Sequence, residues 1–258
     1  MRLAEKVILI TGSCTGIGRA IAERCVAEGA KVIVHGLDEA PGRSLVETLG
    51  HHRATLRIVD LTNPDAPRQL IEHALTTFGK LDAIVNNAAM IATSNIHTTD
   101  IDFLNKMLMV NAIVPFLLIQ SALPHLTKTR GCVLNIGSVN GWCGEPNLLA
   151  YSMSKGALMT LTRNLGDSLF REVGVRVNQI NPGWVLTEKE VLNKREQGLA
   201  DDWYKDLPPQ FAPSGRLLAP AEIAAAAIYW LSDECGPVSG QIMELEQYPM
   251  MGRNVSKK

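Results

Sequence analysis

Val7-Ile8-Leu9-Ile10-Thr11-Gly12-Ser13-Cys14-Thr15-Gly16-Ile17-Gly18 is the stretch that decides the fold. A short continuous apolar run, rich in β-branched residues, breaks into a glycine turn. Such a run suits a strand buried on both faces of a parallel sheet. Immediately afterwards, Ile17, Ala20, Ile21, Ala22, Cys25 and Val26 recur at helical spacing, and Gly29 supplies a C-terminal stop.

The same alternation repeats outward along the chain. Val32–Val34 reads as a second strand, and Leu37–Gly50 as a second helix with Asp38 placed to cap it. Leu56–Val59, Ile84–Val85, Val133–Ile136 and Val175–Ile180 are further buried-strand segments, with helices predicted at about 65–78, 100–125 and 150–173. A last helix opens at Pro220, a residue suited to a first turn, and runs to Leu231; Gln241–Leu245 closes the sheet. Strand–helix alternation of this kind predicts a doubly wound parallel sheet between two helical layers, a three-layer α/β/α single domain spanning 1–258. The irregular stretch 182–219 carries four aromatic residues (Trp184, Trp203, Tyr204 and Phe211), and a lid is expected at about 184–215.

Bulk properties narrow the function. Twenty-five Lys and Arg against 26 Asp and Glu leave a net charge of −1, which gives no electrostatic reason to expect nucleic acid or an anionic membrane. The cysteines Cys14, Cys25, Cys132, Cys143 and Cys235 are odd in number and scattered, as in reduced cytosolic proteins. The histidines show no ligand spacing, so no metal site is expected. No run approaches the length of a membrane helix, and a cytoplasmic enzyme is the default expectation.

In the glycine turn, the spacing is GxxxGxG. Glycines permit positive φ and let the backbone approach a pyrophosphate, while the helix start offers free N–H groups to the anion. The plainer reading is a glycine turn with no ligand; the place of the turn between a buried strand and a helix favours the phosphate reading. Tyr151 and Lys155 stand four apart on a predicted helix, one turn apart on the same face. A lysine so placed would favour the phenolate and lower the pKa of a tyrosine acting as acid or base. Ser138 follows a buried strand at its carboxyl end, where doubly wound folds place their sites. Asn111 is an amide set in a run of Met, Leu, Val and Ile. Each has a plainer reading: a solvated Tyr/Lys pair, a strand-end turn, a buried amide bonded to local backbone.

Taken together, Thr11–Gly18, Asp60, Asn86-Asn87-Ala88, Asn111, Ser138, Tyr151, Lys155 and Pro182-Gly183 resemble, in order and spacing, the classical short-chain dehydrogenase/reductase family. The resemblance covers nearly the whole chain. It implies a Rossmann fold, a nicotinamide cofactor, a small-molecule substrate, interconversion of a secondary alcohol and its ketone, and a homotetramer built on the helices at 100–125 and 150–173. It implies that Tyr151 moves the proton, that Ser138 holds the substrate oxygen, and that Lys155, with Asn111 holding a water, relays protons to solvent. For the cofactor it implies contacts from Gly12, Ser13, Thr15, Gly16, Ile17 and Gly18 on the pyrophosphate side. Asp60 and Leu61 would lie beside the adenine, Asn87 and Ala88 at the ribose, and Tyr151 and Lys155 at the reacting end. Pro182, Gly183, Val185 and Thr187 would lie by the nicotinamide. Two departures stand out: Ala89 where the family has glycine, and Met243-Glu244-Leu245-Glu246-Gln247-Tyr248-Pro249 where many members end in a VDGG-type segment.

Cofactor choice stays open between NAD(H) and NADP(H). Gly36 stands where an acid would take the ribose hydroxyls of NAD, and Thr15 and Leu37 where NADP members often carry a base. Nearby Asp38 tilts the expectation toward NAD. For the substrate, Asn140, Trp142, Glu145, Asn147 and Trp184 form a polar and aromatic set suited to a sugar or polyol. Reduction of a 3-oxoacyl thioester is the alternative, although Thr129 and Glu172 replace the arginines expected to dock a carrier protein. An inactive cofactor-binding regulator is the alternative of another class.

Overall fold

The computed structural model describes residues 1–248; Pro249 and the rest of 249–258 lie outside the described residues, so the predicted domain is followed only that far. Seven parallel strands form one sheet in the order β3-β2-β1-β4-β5-β6-β7. They are β1 (Val7–Ile10), β2 (Lys31–Gly36), β3 (Ala54–Ile58), β4 (Ala83–Asn86), β5 (Cys132–Ile136), β6 (Arg176–Pro182) and β7 (Ile242–Leu245). The strand order reverses between β1 and β4, and ligands of open α/β sheets bind at such a switch point, outside the carboxyl ends of the strands.

Alternate side chains of each strand feed two cores. On one face Ile8, Ile10, Val32 and Val34 pack with Ile21 and Cys25 of α1 (Gly16–Ala27), Leu45 of α2 (Glu39–Leu49) and Ile223 and Ile228 of α9 (Pro220–Leu231). On the other, Leu9, Ile33, Ile84 and Val133 pack with Leu70 of α3 (Ala66–Phe78), Leu118 of α5 (Val114–Thr129) and Leu169 of α7 (Leu149–Val173). Each such fully buried Leu or Ile contributes about 1.5–3 kcal/mol relative to exposure. This is the three-layer arrangement expected from the strand–helix alternation.

Four details depart from the sequence expectation. The helix predicted at 100–125 is α4 (Ile101–Leu108), a π-helical turn (Met109–Ile113) and α5, which runs through Pro124 to Thr129. By length and composition Ile101–Thr129 is apolar enough to cross a membrane, but Val114, Leu118, Ile119, Ala122 and Leu126 are spent on the core. A short helix α6 (Asn140–Cys143) follows β5, and the 182–219 connection contains α8 (Glu188–Glu196) and a 3₁₀ turn (Trp203–Lys205). Asp38 occupies the N-cap position of α2, yet its side chain makes no capping hydrogen bond.

Candidate active site

The β1–α1 turn is fixed by backbone geometry and by two neighbouring strands. Gly12 and Gly16 have φ of 62° and 57°. A Cβ on Gly18 would lie 2.4 Å from the Gly12 carbonyl oxygen and 2.5 Å from Asn87 Nδ2, so only glycine fits. From the β4 end, Asn87 Nδ2 donates to the carbonyls of Thr11 and Gly12, each at 2.9 Å. The backbone N–H groups of Asn87 and Ala88 both donate to Thr11 Oγ1 at 3.0 Å. From β2, His35 Nδ1 accepts the Gly12 N–H at 3.2 Å, Nε2 bonds the Val59 carbonyl at 2.9 Å, and the Ser13 N–H donates to the His35 carbonyl at 2.7 Å. Burial pushes the His35 pKa down, so the imidazole is held neutral as a structural clasp. Nothing in the resemblance pointed to His35; a polar residue inside an otherwise buried strand was the available signal.

Helix α1 has neither a capping side chain at Thr15 nor an acid in its first turn, so its leading N–H groups face outward, as an anion site requires. A Cβ on Gly16 would meet only Thr187, at 3.5 Å, which places the start of the 184–215 segment against the glycine turn. Thr187 itself caps α8 by accepting the Glu190 N–H. Val185 is buried and bridges to Leu218, while Asp60 is exposed and accepts the Thr62 N–H at 2.8 Å beside buried Leu61. Hydrogen bonds from Thr62 hold the Asp60 carboxyl below its ordinary range. These features fit a dinucleotide. Ala89 is also accommodated: among described non-glycine residues only Glu5 and Arg130 take positive φ, so its methyl carries no left-handed strain.

The acid missing at Gly36 has a steric explanation. A Cβ there would fall 2.5 Å from Cys14 Sγ, so the thiol occupies the space a carboxylate stem would need. The Cys14 pKa is raised by burial and by the Asp38 charge, which places Asp38 beside this end of the turn.

At the carboxyl ends of β4 and β5 the four polar residues singled out above come together. Tyr151 is buried; burial pushes its pKa up to about 12, while the neighbouring Ser138 side chain pulls it back. Ser138 Oγ also accepts the Asn140 N–H at 3.1 Å. The Lys155 ammonium lies 5.6 Å from the Tyr151 ring centroid and donates to the Ile136 carbonyl at 2.7 Å. Full burial lowers the Lys155 pKa to about 7. The expected lowering of the tyrosine by the lysine is therefore not what this geometry gives: desolvation dominates both groups, and Lys155 is turned to the β5 backbone. Asn111 sits buried in the π-helical turn, a deviation from the α-helix that recurs at functional sites. Its Oδ1 accepts the Met90 N–H at 2.8 Å, and its Nδ2 donates to the Met90 carbonyl and to Ser154 Oγ, each at 2.9 Å.

The residues read as substrate contacts are dispersed. Asn140 Nδ2 donates to Glu145 Oε2 at 3.3 Å on the exposed surface, and the exposed Asn147 uses its carbonyl to accept the Ser94 N–H. Trp142 faces Arg163, 5.3 Å away, well down α7 from Tyr151. Trp184 stacks on Trp203 at 5.2 Å, meets Phe211 edge-on at 6.4 Å and donates to Glu190 Oε1 at 2.9 Å. The altered tail braces that aromatic cluster at both ends. Glu246 Oε2 accepts the Trp184 N–H, while Gln247 Oε1 accepts from Ser214 N and Oγ and Gln247 Nε2 donates to the Arg216 carbonyl.

Residues 12–246 match the family model described as enoyl-(acyl carrier protein) reductase. The chain is similar to L-fucose dehydrogenase of Mus musculus, at 36% identity over 90% of this chain and 84% of the relative. It is also similar to 2-(S)-hydroxypropyl-CoM dehydrogenase 3 of Xanthobacter autotrophicus, at 34% identity over 93% of this chain and 94% of that one. A third relative is 3-oxoacyl-(acyl-carrier-protein) reductase FabG of Salmonella typhimurium, at 31% identity over 95% and 97%. With that extent of match laid on the seven-stranded parallel sheet, the chain is an oxidoreductase of the classical short-chain dehydrogenase/reductase family.

Proposed function

We propose that the protein interconverts a secondary alcohol and its ketone with a nicotinamide dinucleotide, the substrate being a sugar or polyol. The observation that carries this reading is the grouping of Ser138 and Tyr151 at the sheet's carboxyl edge, with the Lys155 ammonium buried 5.6 Å from the Tyr151 ring. When bound, the nicotinamide supplies or accepts the hydride. The chain's own residues manage the proton: Tyr151, held protonated by burial, donates to the alkoxide formed on ketone reduction and recovers the proton in the reverse direction. Ser138 Oγ orients the substrate oxygen against that hydroxyl. Lys155 accepts or releases a proton near neutrality, and Asn111 braces the wall behind it through Met90 and Ser154.

NAD is favoured over NADP, because the Asp38 charge is felt at Cys14 in the glycine turn and neither Thr15 nor Leu37 offers a cation to a 2′-phosphate. Segment 184–215 serves as the substrate lid, hinged where Leu186 and Leu218 meet. Asn140 and Glu145, with the aromatic cluster around Trp184, suit hydroxyls against a ring face. Exposed Met109, Ile113 and Phe116 on the α5 side, with Met153 on α7, supply an apolar stripe for a homotetramer. Free cysteines agree with a cytoplasmic setting.

The reading is tested by titrating the protein with NADH and NADPH while following thermal unfolding, then assaying oxidation of L-fucose and other sugars with the preferred dinucleotide. Binding to the folded state raises stability by mass action, so a larger shift with NADH is expected. The 3-oxoacyl thioester alternative draws on the Salmonella relative; acetoacetyl thioester turnover with no sugar turnover would favour it.

A further inference from the structure

A row of buried polar side chains crosses the sheet directly beneath the site. Asn86, Asn135 and Gln179 are register partners on β4, β5 and β6. Asn86 Nδ2 donates to Asn135 Oδ1 at 2.8 Å, and Asn135 Nδ2 to Thr162 Oγ1 at 2.8 Å. Thr162 Oγ1 donates to Gln179 Oε1 at 2.7 Å, Gln179 Nε2 to Asn181 Oδ1 at 2.6 Å, and Asn181 Nδ2 to Glu244 Oε1 at 3.0 Å. Asn135, Thr162, Gln179 and Asn181 are fully excluded from solvent. Burying amides in a sheet core is unfavourable unless they are paired. Along this row the amide donations run toward Glu244, Asn86 Oδ1 at the far end has no partner, and Thr162 Oγ1 also reaches the Leu158 carbonyl at 2.9 Å.

That direction is set at its exposed end. An ionised carboxylate only accepts, so Glu244 obliges Asn181 to present its NH₂ to β7 and its oxygen to β5. The oxygen then takes the Ser138 backbone N–H at 3.2 Å. Gly137 makes the approach possible, since a Cβ there would lie 2.0 Å from Asn181 Oδ1 and 2.2 Å from Gln179 Nε2. We infer that Glu244 is a positioning residue: from the last strand it orients the Asn181 amide, and through that amide it holds the backbone of Ser138 in place beneath Tyr151.

The importance of that hold for turnover rests on the proposed role of Ser138, but the hold itself is testable without substrate. Amide hydrogen exchange at Ser138 in Glu244→Leu should quicken about tenfold, the size of one lost hydrogen bond, with β1 amides unchanged. Glu244→Gln keeps an acceptor oxygen and should restore protection. Asn181→Asp should also deprotect Ser138, by setting two carboxylates together, and Asn181→Asp with Glu244→Gln should recover it by reversing the bond. Unchanged Ser138 exchange in Glu244→Leu overturns the inference, as does a double variant no better protected than Asn181→Asp alone. With L-fucose and NAD as probe, kcat should fall and the dinucleotide KM stay fixed; a raised L-fucose KM at constant kcat would instead make Glu244 a substrate contact. Retained turnover in Tyr151→Phe would refute the proposed reaction while leaving the exchange result standing.

Discussion

The two ends of the sheet's carboxyl edge are built on different principles. Around β1, β2 and β4 the site is shaped by backbone: glycines without room for a methyl, and turn amides held by Thr11, His35 and Asn87. Around β6, β7 and the 184–215 segment it is shaped by side chains, with Glu244, Glu246, Gln247, Trp184 and Trp203 bonded or stacked on one another. A backbone-built region tolerates almost no substitution and suits a ligand that does not vary. A side-chain-built region can be respecified residue by residue, which suits a substrate site.

If that contrast is right, the largest effects belong to the glycine end. Gly18→Ala should cost about 1–3 kcal/mol through overpacking and remove the thermal shift given by NADH, read by calorimetry. A retained shift would show that the turn has slack. Next comes Gly36→Asp. Alone, the new side chain collides with Cys14 Sγ and should lower stability and weaken NAD binding. With Cys14→Gly added, both should recover and the NADH over NADPH ratio should rise. An equal effect in the single and double variants would disconnect Cys14 from the choice of cofactor.

The side-chain end should yield smaller changes. Gln247→Ala removes the bonds to Ser214 and Arg216 and should raise the sugar KM a few-fold, about 1 kcal/mol for the lost bonds, leaving kcat and the dinucleotide KM in place. An unchanged KM would separate the tail from the lid. A separate effect is one of pH. Lys155 has a folded pKa of about 7, below its unfolded value, so between pH 7 and the unfolded pKa the unfolded chain binds the extra proton. Stability without cofactor should therefore rise with pH from about 7 to 9. Lys155→Met should flatten that rise in Tm; an identical profile would mean that the amine is not buried as described.

The same contrast explains what could be read from the amino-acid sequence. Short apolar runs such as Val7–Ile10, bounded by glycine turns and alternating with helical periodicity, read as buried parallel strands, and the glycine spacing follows from close backbone approach. Hence the sheet and its helices were legible, and with them the strand end that carries Ser138 and the helix that carries Tyr151 and Lys155. The π-helical turn at Met109–Ile113 has no periodic signature in so short a stretch, so the 100–125 segment read as one helix. Charged, weakly amphipathic α8 looked like irregular chain for the same reason. His35, Gln179 and Asn181 were visible as polar residues in strand-like runs, but their partners lie on other strands, and spacing along one chain does not reveal such pairs. Trp142 and Trp184 looked like a pocket wall; their partners, Arg163 and Trp203, are distant in sequence.

The central claim is that Tyr151 moves the proton while the glycine end holds the dinucleotide independently. The direct measurement is Tyr151→Phe, assayed side by side for sugar oxidation and for NADH-induced thermal stabilisation. The account predicts turnover reduced by about 10²–10⁴-fold, the range of a lost general acid–base group, with stabilisation by NADH unchanged. Turnover within a few-fold of the parent protein would contradict it.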